Sequence, residues 1–323
     1  MSTYLIINTG GTIGMVTGPK GLTPHPDAIS QAFTTHSSLQ DWQQHRLIWK
    51  HWSPLLDSSD LQPEHWFELK QTVENQPDVD GVLIIHGTDT LAYTATALSF
   101  LLTSLSIPVV ITGSMHPISA PQTDAIDNLN NALATLNSGR AEVMVAVGQQ
   151  PLPGSRVTKA STLENNAFAA PGWDLNLWPT VPKTHPVAFN PTWRTQDVRV
   201  YTLYPGFSLP TRQQLQTDRP DAILINAYGN GNAADTAANR ASLQAMQDLD
   251  IPIFVRSQCH EGEVSFGQYA ASALFAENGA VSCGRMSFEA ALTKILLLCN
   301  ESKDAQWIQQ QFATPFAREW QND

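Results

Sequence analysis

The chain has 323 residues, 42% of them apolar, and a formal net charge of −11 at pH 7. This length exceeds what one hydrophobic core usually serves, so we expect two globular domains. The shortage of Lys and Arg argues against a nucleic-acid partner, because proteins that bind the phosphate backbone concentrate those residues. A small polar substrate fits this composition better.

Cysteines and apolar runs narrow the class of protein further. Cys259, Cys283 and Cys299 form no C-x-x-C pair, which argues against a disulfide framework and against a structural zinc site. No apolar run approaches the ~20 residues that a membrane span needs, and no basic segment precedes the first apolar run. We therefore expect a cytoplasmic protein with no metal ion and no membrane partner.

The first predicted element is a strand over residues 4–8. Its apolar run is typical of a strand buried on both faces, and the turn Thr9-Gly10-Gly11-Thr12-Ile13-Gly14 closes it. Thr12 stands at the carboxyl end of this strand, where open α/β sheets bind ligands. Its hydroxyl is a candidate nucleophile; the alternative is a β-branched residue that packs or caps the turn. Residues 15–26, rich in Gly, Pro and Thr, are predicted to form a mobile loop.

Two further predicted strands end in polar residues. The strand over 46–49 leads to Asp57-Ser58-Ser59-Asp60, and the strand over 82–85 leads to His86-Gly87-Thr88-Asp89-Thr90. Parallel strands end at the same edge of a sheet, so Thr88 and Asp89 are expected to share one site with the turn after the first strand. His86 fits a hydrogen-bonded buried histidine better than a general base.

One lysine lies in an unusual sequence context. Lys159 follows Thr158 and precedes Ala160-Ser161-Thr162, so its neighbours carry small hydroxyl groups instead of charges. A lysine in such surroundings can lose its proton where it is desolvated. Lys159 is therefore a candidate partner for the hydroxyl groups at the strand ends.

The remaining pattern alternates between strands and helices, which is typical of βαβ units. Helices are predicted over 27–33, 63–73, 91–102, 125–136, 211–216, 235–249, 288–299 and 304–312, and strands over 108–111, 143–147, 198–203, 222–226 and 251–255. Prolines interrupt the pattern between 171 and 191. These features predict an N-terminal α/β domain over 1–182, a linker over 183–196 and a smaller α/β domain over 197–323.

Together these motifs resemble a known family, the bacterial-type L-asparaginases, and within it the cytoplasmic type I enzymes. The resemblance spans nearly the whole chain. It rests on the turn after the first strand, on Asp57-Ser58-Ser59-Asp60, His86-Gly87-Thr88-Asp89-Thr90-Leu91-Ala92-Tyr93-Thr94, Thr112-Gly113-Ser114 and Thr158-Lys159. It implies a larger N-terminal mixed sheet flanked by helices and a smaller C-terminal domain with a parallel sheet.

The resemblance also implies an activity and roles for particular residues. The protein would hydrolyse the side-chain amide of L-asparagine to L-aspartate and ammonia through an acyl-enzyme on Thr12. The hydrogen-bonded catalytic set would be Thr88, Asp89 and Lys159. The substrate would be held by Asp57, Ser58, Ser59, Thr88, Asp89 and Asn232. No cofactor is implied, and the assembly would be a homotetramer built from two dimers.

At two places the chain departs from the family pattern. Members of the family usually carry a tyrosine in the mobile loop, whereas this chain has Leu22, which cannot relay a proton to Thr12. The arginine that precedes the family's Ser-Asp-Gly run is Gln122 here, and the glycine of that run is Ala125. We interpret the second change as structural.

Other functions stay open at this point. Gly229-Asn230-Gly231-Asn232-Ala233-Ala234 matches the dinucleotide-binding pattern G-x-G-x-x-A, and Arg256 follows where a 2′-phosphate partner can lie, so an NADP-dependent oxidoreductase is one alternative. A glutaminase-asparaginase of broader specificity is another. A third is a protein that binds an amino acid or amide without turning it over, because Leu22 replaces the loop tyrosine.

Overall fold

The computed structural model describes residues 1–18, 21–76, 78–102, 104–174, 187–266 and 270–320, and for residues 270–272 the backbone alone. The chain folds into two compact units, Met1–Ala170 and Pro171–Asp323. The predicted linker over 183–196 falls partly outside the described residues. The predicted domain limits therefore stay predictions.

The first unit is built on a mixed sheet. Its strands, in chain order, are β1 (Thr3–Gly10), β2 (Met15–Gly18), β3 (Gly21–Pro24), β4 (Arg46–Leu56), β5 (Gly81–Ile85), β6 (Val109–Thr112), β7 (Val143–Val145), β8 (Leu152–Pro153), β9 (Thr158–Lys159) and β10 (Phe168–Ala169). Within the described part of this unit, six strands pair in the order β4-β1-β5-β6-β7-β8. The first five are parallel and β8 runs antiparallel to β7.

Helices accompany this sheet. They are α1 (Ala28–Thr35), α2 (Pro63–Glu74), α3 (Leu91–Leu101) and α4 (Ala125–Asn137), with 3-10 turns at Thr12–Gly14, Ser37–Gln44 and Ser58–Asp60. Every residue of β5 and β6 is buried, as a parallel sheet covered by helices on its faces requires. A buried core of aliphatic residues joins β1, β5, β6 and β7 to α2 and α3. Each buried Leu, Ile or Val there contributes about 1.5–3 kcal/mol relative to exposure.

The structure corrects the prediction of a mobile loop over residues 15–26. Its described residues form an antiparallel hairpin in which β2 pairs with β3, with Thr17 opposite Leu22. The β-branched residues Val16, Thr17 and Thr23 favour extended backbone, and Gly21 takes a positive φ of 106° where β3 begins. The prediction of irregular backbone was wrong because cross-strand pairing defines this hairpin and gives no apolar periodicity.

The second unit contains a parallel sheet. Its strands are β11 (Val198–Thr202), β12 (Ala222–Ala227), β13 (Ile253–Ser257) and β14 (Val281–Ser282), paired in that order. Its helices are α5 (Arg212–Thr217), α6 (Ala237–Asp248), α7 (Ala270–Glu277), α8 (Phe288–Glu301) and α9 (Ala305–Phe312). Thr211, Thr236, Ser287 and Asp304 cap α5, α6, α8 and α9 with side-chain oxygens, which satisfies helix N–H groups that have no partner within the helix.

The two units together give the predicted α/β class, with a larger N-terminal mixed sheet and a smaller C-terminal parallel sheet. Helices α5, α6, α8 and α9 and strands β11 to β13 lie within a few residues of their predicted limits. Helix α7 and strand β14 were not predicted. Across the described ranges, no helix has both the length and the apolar character to span a membrane.

Candidate active site

Three neighbouring parallel strands place the predicted site residues side by side. Strand β1 lies between β4 and β5, so the carboxyl ends of all three meet at one edge of the sheet. Thr12 follows β1, Asp57 follows β4 and Thr88 follows β5. This is the edge where α/β sheets bind ligands.

Glycines bring these three strand ends into backbone contact. Gly11 has a φ of 92°, and a Cβ at this position would lie 2.5 Å from the Cα and N atoms of Gly87. A Cβ at Gly87 would in turn lie 2.6 Å from Oγ of Ser58. No side chain fits at either glycine, so both are needed for the approach. The turns that carry Thr12, Ser58 and Thr88 therefore pack against one another.

The two threonines that flank the paired glycines differ in their contacts. Thr9 is buried, and its hydroxyl donates a hydrogen bond of 2.9 Å to the Ile85 carbonyl. Thr12 is half-buried in the 3-10 turn, and its hydroxyl makes no hydrogen bond with another described residue. Thr9 thus fastens β1 to β5, whereas the Thr12 hydroxyl is free to meet a ligand.

Lys159 reaches the end of β5 from a distant part of the chain. Its Nζ lies 2.9 Å from Thr88 Oγ1 and 2.6 Å from Asp89 Oδ1. The Lys159 side chain is 17% exposed and that of Asp89 is 64% exposed. Lys159 belongs to the antiparallel pair β9–β10, in which it lies opposite Phe168. The predicted set of Thr88, Asp89 and Lys159 is thus hydrogen-bonded as a unit.

The end of β4 forms a second polar group. Oδ1 of Asp57 accepts hydrogen bonds from the backbone N–H of Ser59 at 2.9 Å and from its hydroxyl at 2.7 Å. These two bonds lower the pKa of Asp57 below its usual value, against a smaller effect of burial. Ser58 is buried, and its carbonyl accepts the Thr90 hydroxyl at 2.7 Å. This network fixes the turn that presents Ser58 and Ser59.

His86 is fully buried beside this site, and both its ring nitrogens are occupied. Nδ1 lies 2.7 Å from the Gly87 carbonyl and Nε2 lies 2.9 Å from the Thr94 hydroxyl. A carbonyl can only accept, so Nδ1 carries the hydrogen and Nε2 accepts from Thr94. Burial lowers the pKa of His86 to about 4, and the bond to Gly87 opposes this only partly. His86 is therefore neutral at pH 7, as expected of a hydrogen-bonded buried histidine.

Asn232 belongs to the second unit, in the loop between β12 and α6. Its backbone N–H and C=O pair with Tyr228 at 2.7 and 3.0 Å. Its Oδ1 is buried and has no hydrogen-bond partner among the described residues. Such an atom is rare in folded proteins and indicates a missing polar partner, such as water or a ligand.

The same loop does not resemble a dinucleotide-binding turn. In that motif the glycines lead directly into a helix whose N-terminus meets the pyrophosphate. Here the N–H of Gly231 donates a hydrogen bond to the Tyr228 carbonyl and closes a tight turn. Helix α6 begins only at Ala237, with Thr236 as its cap. No helix N-terminus lies directly behind the glycines, and this geometry disfavours the oxidoreductase alternative.

Two positions where the chain departs from the family pattern are also located. Leu22 lies on β3 and is 49% exposed. The neighbouring Thr23 hydroxyl is 3.5 Å from the Val16 carbonyl, at the limit of a hydrogen bond.

Gln122 is exposed, and Asp124 two residues later is buried. Asp124 and the nearby Asn128 were not singled out as site residues, because no short motif distinguishes them from ordinary helix-start residues.

Comparison with known proteins agrees with this geometry. Residues 3–176 match the family model "Asparaginase, N-terminal", and residues 197–312 match "Glutaminase/Asparaginase C-terminal domain". L-asparaginase 1 of Escherichia coli K12 is 33% identical over 313 residues, which cover 93% of this chain and 92% of that protein.

Two solved structures have the same fold. The thermostable L-asparaginase from Thermococcus kodakarensis superposes with a TM-score of 0.87 at 28% identity, covering 99% of this chain and 100% of that one. L-asparaginase I from Vibrio cholerae superposes with a TM-score of 0.82 at 26% identity, covering 99% of each chain. The resemblance stated from the motifs is thereby confirmed, and the chain belongs to the asparaginase family.

Proposed function

We propose that this protein is an L-asparaginase, which hydrolyses the side-chain amide of L-asparagine to L-aspartate and ammonia. One observation carries the proposal: Lys159 Nζ lies 2.9 Å from Thr88 Oγ1 and 2.6 Å from Asp89 Oδ1, at the strand ends that also present Thr12. Family membership and the L-asparaginase relatives support the same activity.

Thr12 is the proposed nucleophile. A threonine hydroxyl attacks an amide only when a nearby group accepts its proton. Its oxygen forms the bond to the amide carbon, the C–N bond breaks, and ammonia leaves with the proton that passes through the Thr88 set. Water then cleaves the resulting ester to give aspartate and restores the hydroxyl of Thr12.

Thr88 and Lys159 are proposed to act as the proton-accepting pair. Lys159 donates to Thr88 Oγ1, so the Thr88 hydrogen is left to point elsewhere, and this Nζ–H donor lowers the cost of removing that hydrogen by stabilising the negative charge that develops on Oγ1. A positioned base contributes typically ~10²–10⁴ in rate. We propose that Thr88, Asp89 and Lys159 assist both steps, first the attack by Thr12 and then the hydrolysis of the ester by water.

The ends of the substrate are assigned by charge. Asp89 is proposed to bind the α-amino group, because its carboxylate is largely exposed. Ser58 and Ser59 are proposed to bind the α-carboxylate by their hydroxyl and N–H groups, with Asp57 holding their turn. The proposed contact of Asn232 with the substrate rests on the family resemblance.

The test is release of ammonia by the purified protein from L-asparagine and, in parallel, from L-glutamine. We expect turnover of asparagine; equal turnover of glutamine would favour the glutaminase-asparaginase alternative. Titration calorimetry on the same samples separates the third alternative, since heat of binding without ammonia would indicate a protein that binds an amide and does not hydrolyse it.

Thr12→Ala tests the nucleophile. Turnover should be lost, while stability changes by no more than about 1 kcal/mol because only the hydroxyl and one methyl group of a half-buried side chain are removed. Thr35→Ala, which removes an exposed hydroxyl from α1, is the matched control and should keep full activity. Ammonia release by Thr12→Ala at the wild-type rate would exclude Thr12 as the nucleophile.

Location and assembly remain proposals. The family resemblance implies a cytoplasmic enzyme and a homotetramer composed of two dimers. The proposed partner is a small amide substrate, with no cofactor, nucleic acid or membrane.

A further inference from the structure

The pair Thr88–Lys159 joins two segments that are 71 residues apart in the chain. Thr88 lies in the turn after β5, and Lys159 lies in the short hairpin β9–β10, whose strands have two residues each. A two-residue strand pair cannot position a side chain by itself. We therefore looked for a group that fixes the position of the turn after β5 relative to the β9–β10 hairpin.

Asn128 on α4 contacts the loops behind both segments. It is buried, with 1% of its surface exposed. Its Nδ2 donates to the Gly113 carbonyl and to Asp124 Oδ2, each at 2.9 Å, and its Oδ1 accepts the Gly148 N–H at 2.8 Å. A carbonyl only accepts and an N–H only donates, so the amide has one possible orientation.

The first contact leads to Thr88. A Cβ at Gly113 would clash with the His86 carbonyl and lie 3.5 Å from Thr88 Cγ2, so the Gly113 backbone rests directly on the turn after β5. Asp124 reinforces this loop, because its carboxylate accepts the N–H groups of Met115 at 2.9 Å and His116 at 3.0 Å.

The second contact leads to Lys159. A Cβ at Gly148 would clash with the Asn166 amide and lie 3.4 Å from its Cα, so Gly148 rests on the turn between β9 and β10. That hairpin is closed by the Ala160 N–H, which donates to the Ala167 carbonyl at 2.7 Å. Asn131, one turn along α4, donates to the Gly148 carbonyl at 3.0 Å, so the N–H and the C=O of this residue are both held by α4.

We propose that Asn128 is a positioning residue that sets the separation of Thr88 and Lys159 by binding Gly113 on one side and Gly148 on the other. It touches neither member of the pair. Its three hydrogen bonds fix the two loops on which the pair rests. The effect of Asn128 on catalysis rests on the proposed function, whereas its effect on the distance between Thr88 and Lys159 does not.

The test compares Asn128→Asp with Asn130→Asp. The first change keeps the acceptor for Gly148 but replaces both donor hydrogens, so the Gly113 carbonyl loses its partner and a carboxylate faces Asp124. The second change adds the same charge to the same helix at a half-buried residue whose side chain makes no hydrogen bond to another described residue. It is the matched control.

We expect Asn128→Asp to lower kcat by ~10²-fold, the effect of misplacing a catalytic group by about 1 Å, with a smaller change in KM. Asn130→Asp should match the wild type in both constants. Asn128→Ser, which adds no charge but cannot span Gly113 and Gly148, should resemble Asn128→Asp. A role in stability alone would change the melting temperature and leave kcat per folded molecule at the wild-type value, which overturns the proposal.

Crystal structures of the variants decide the geometry independently of activity. In Asn128→Asp and Asn128→Ser the distance from Lys159 Nζ to Thr88 Oγ1 should exceed about 3.5 Å, where the hydrogen bond is lost. An unchanged distance of 2.9 Å overturns the proposal even if the wild type releases no ammonia. If neither variant folds, Asn128→Ala removes the same three hydrogen bonds with a residue that favours a helix, and an unmoved Lys159 in that variant overturns the proposal.

Discussion

At the scale of single residues, substitution of Lys159 gives a direct test of the proposed chemistry. Lys159→Met keeps most of the volume of the side-chain stem and removes the group that contacts Thr88 and Asp89. We expect ammonia release to fall by at least ~10²-fold, the smaller end of what a positioned base contributes.

Lys70→Met is the control for this change. Lys70 forms an i, i+4 pair with Glu74 on the surface of α2, and such pairs contribute only about 0.3–0.5 kcal/mol to stability. Its activity should stay at the wild-type level. If Lys159→Met retained activity as well, the lysine would serve the structure alone.

His86 gives a prediction about stability and pH. Its pKa is lowered to about 4 in the folded protein from an ordinary value of 6.5, so between these values the unfolded chain binds a proton that the folded chain does not. Stability from this group is therefore complete above pH 6.5 and is lost as the pH falls towards 4. Between pH 7 and pH 5 the free energy of unfolding should fall by about 2 kcal/mol through His86.

Denaturant unfolding at pH 5, 6 and 7 measures this slope. His86→Gln should remove that part of the slope, whereas His36→Gln, at an exposed histidine, should keep it. Identical slopes for the wild type and His86→Gln would show that His86 does not titrate in this way.

At the scale of elements, the hairpin β2–β3 carries the departure from the family at Leu22. If the usual tyrosine orients or helps to deprotonate the nucleophile, Leu22→Tyr should raise kcat by ~10-fold, with less effect on KM. Leu22 is 49% exposed, so a larger ring fits without displacing core residues.

Leu22→Phe is the control, because it adds the ring without the hydroxyl. A gain in kcat for tyrosine but not for phenylalanine would assign the effect to the hydroxyl. If kcat stays the same or falls in Leu22→Tyr, then Leu22 only packs in the hairpin and another group already assists Thr12. Thr23 and Tyr93 are the candidates nearest in sequence.

The elements also show which parts of the fold can be predicted from the sequence. Strands β5 and β6 are continuous apolar runs, and α2 has apolar residues at helical spacing, so their existence and type were predictable. Strands β8, β9, β10 and β14 have two residues each, too short for any periodicity. The hairpin β2–β3 escaped prediction because cross-strand pairing, not apolar alternation, defines it.

The candidate site divides in the same way. Thr12, Thr88 and Asp89 follow predictable strands, so their convergence at one sheet edge could be inferred. Lys159 was singled out by its neighbours, but its contact with Thr88 depends on a two-residue strand pair that the sequence does not reveal. Asn128 acts through backbone groups of distant loops, and no pattern in the sequence encodes such contacts.

At the scale of the whole molecule, the remaining prediction concerns assembly and its dependence on salt. Light scattering should give a particle of about four times the 35.4 kDa chain mass. Each chain carries a formal net charge of −11, so copies repel one another at long range and burial of apolar surface must hold the assembly together. Added salt screens this repulsion, with a Debye length of about 10 Å at 0.1 M ionic strength and about 3 Å at 1 M.

Raising NaCl from 0.05 to 0.5 M should therefore leave the tetramer intact or strengthen it. The measurement is a dilution series at each salt concentration, followed by light scattering or sedimentation. Dissociation on addition of salt would mean that ion pairs between copies hold the interfaces. A single species at the mass of one chain, at every concentration and in both salts, would show that this member of the family acts as a monomer.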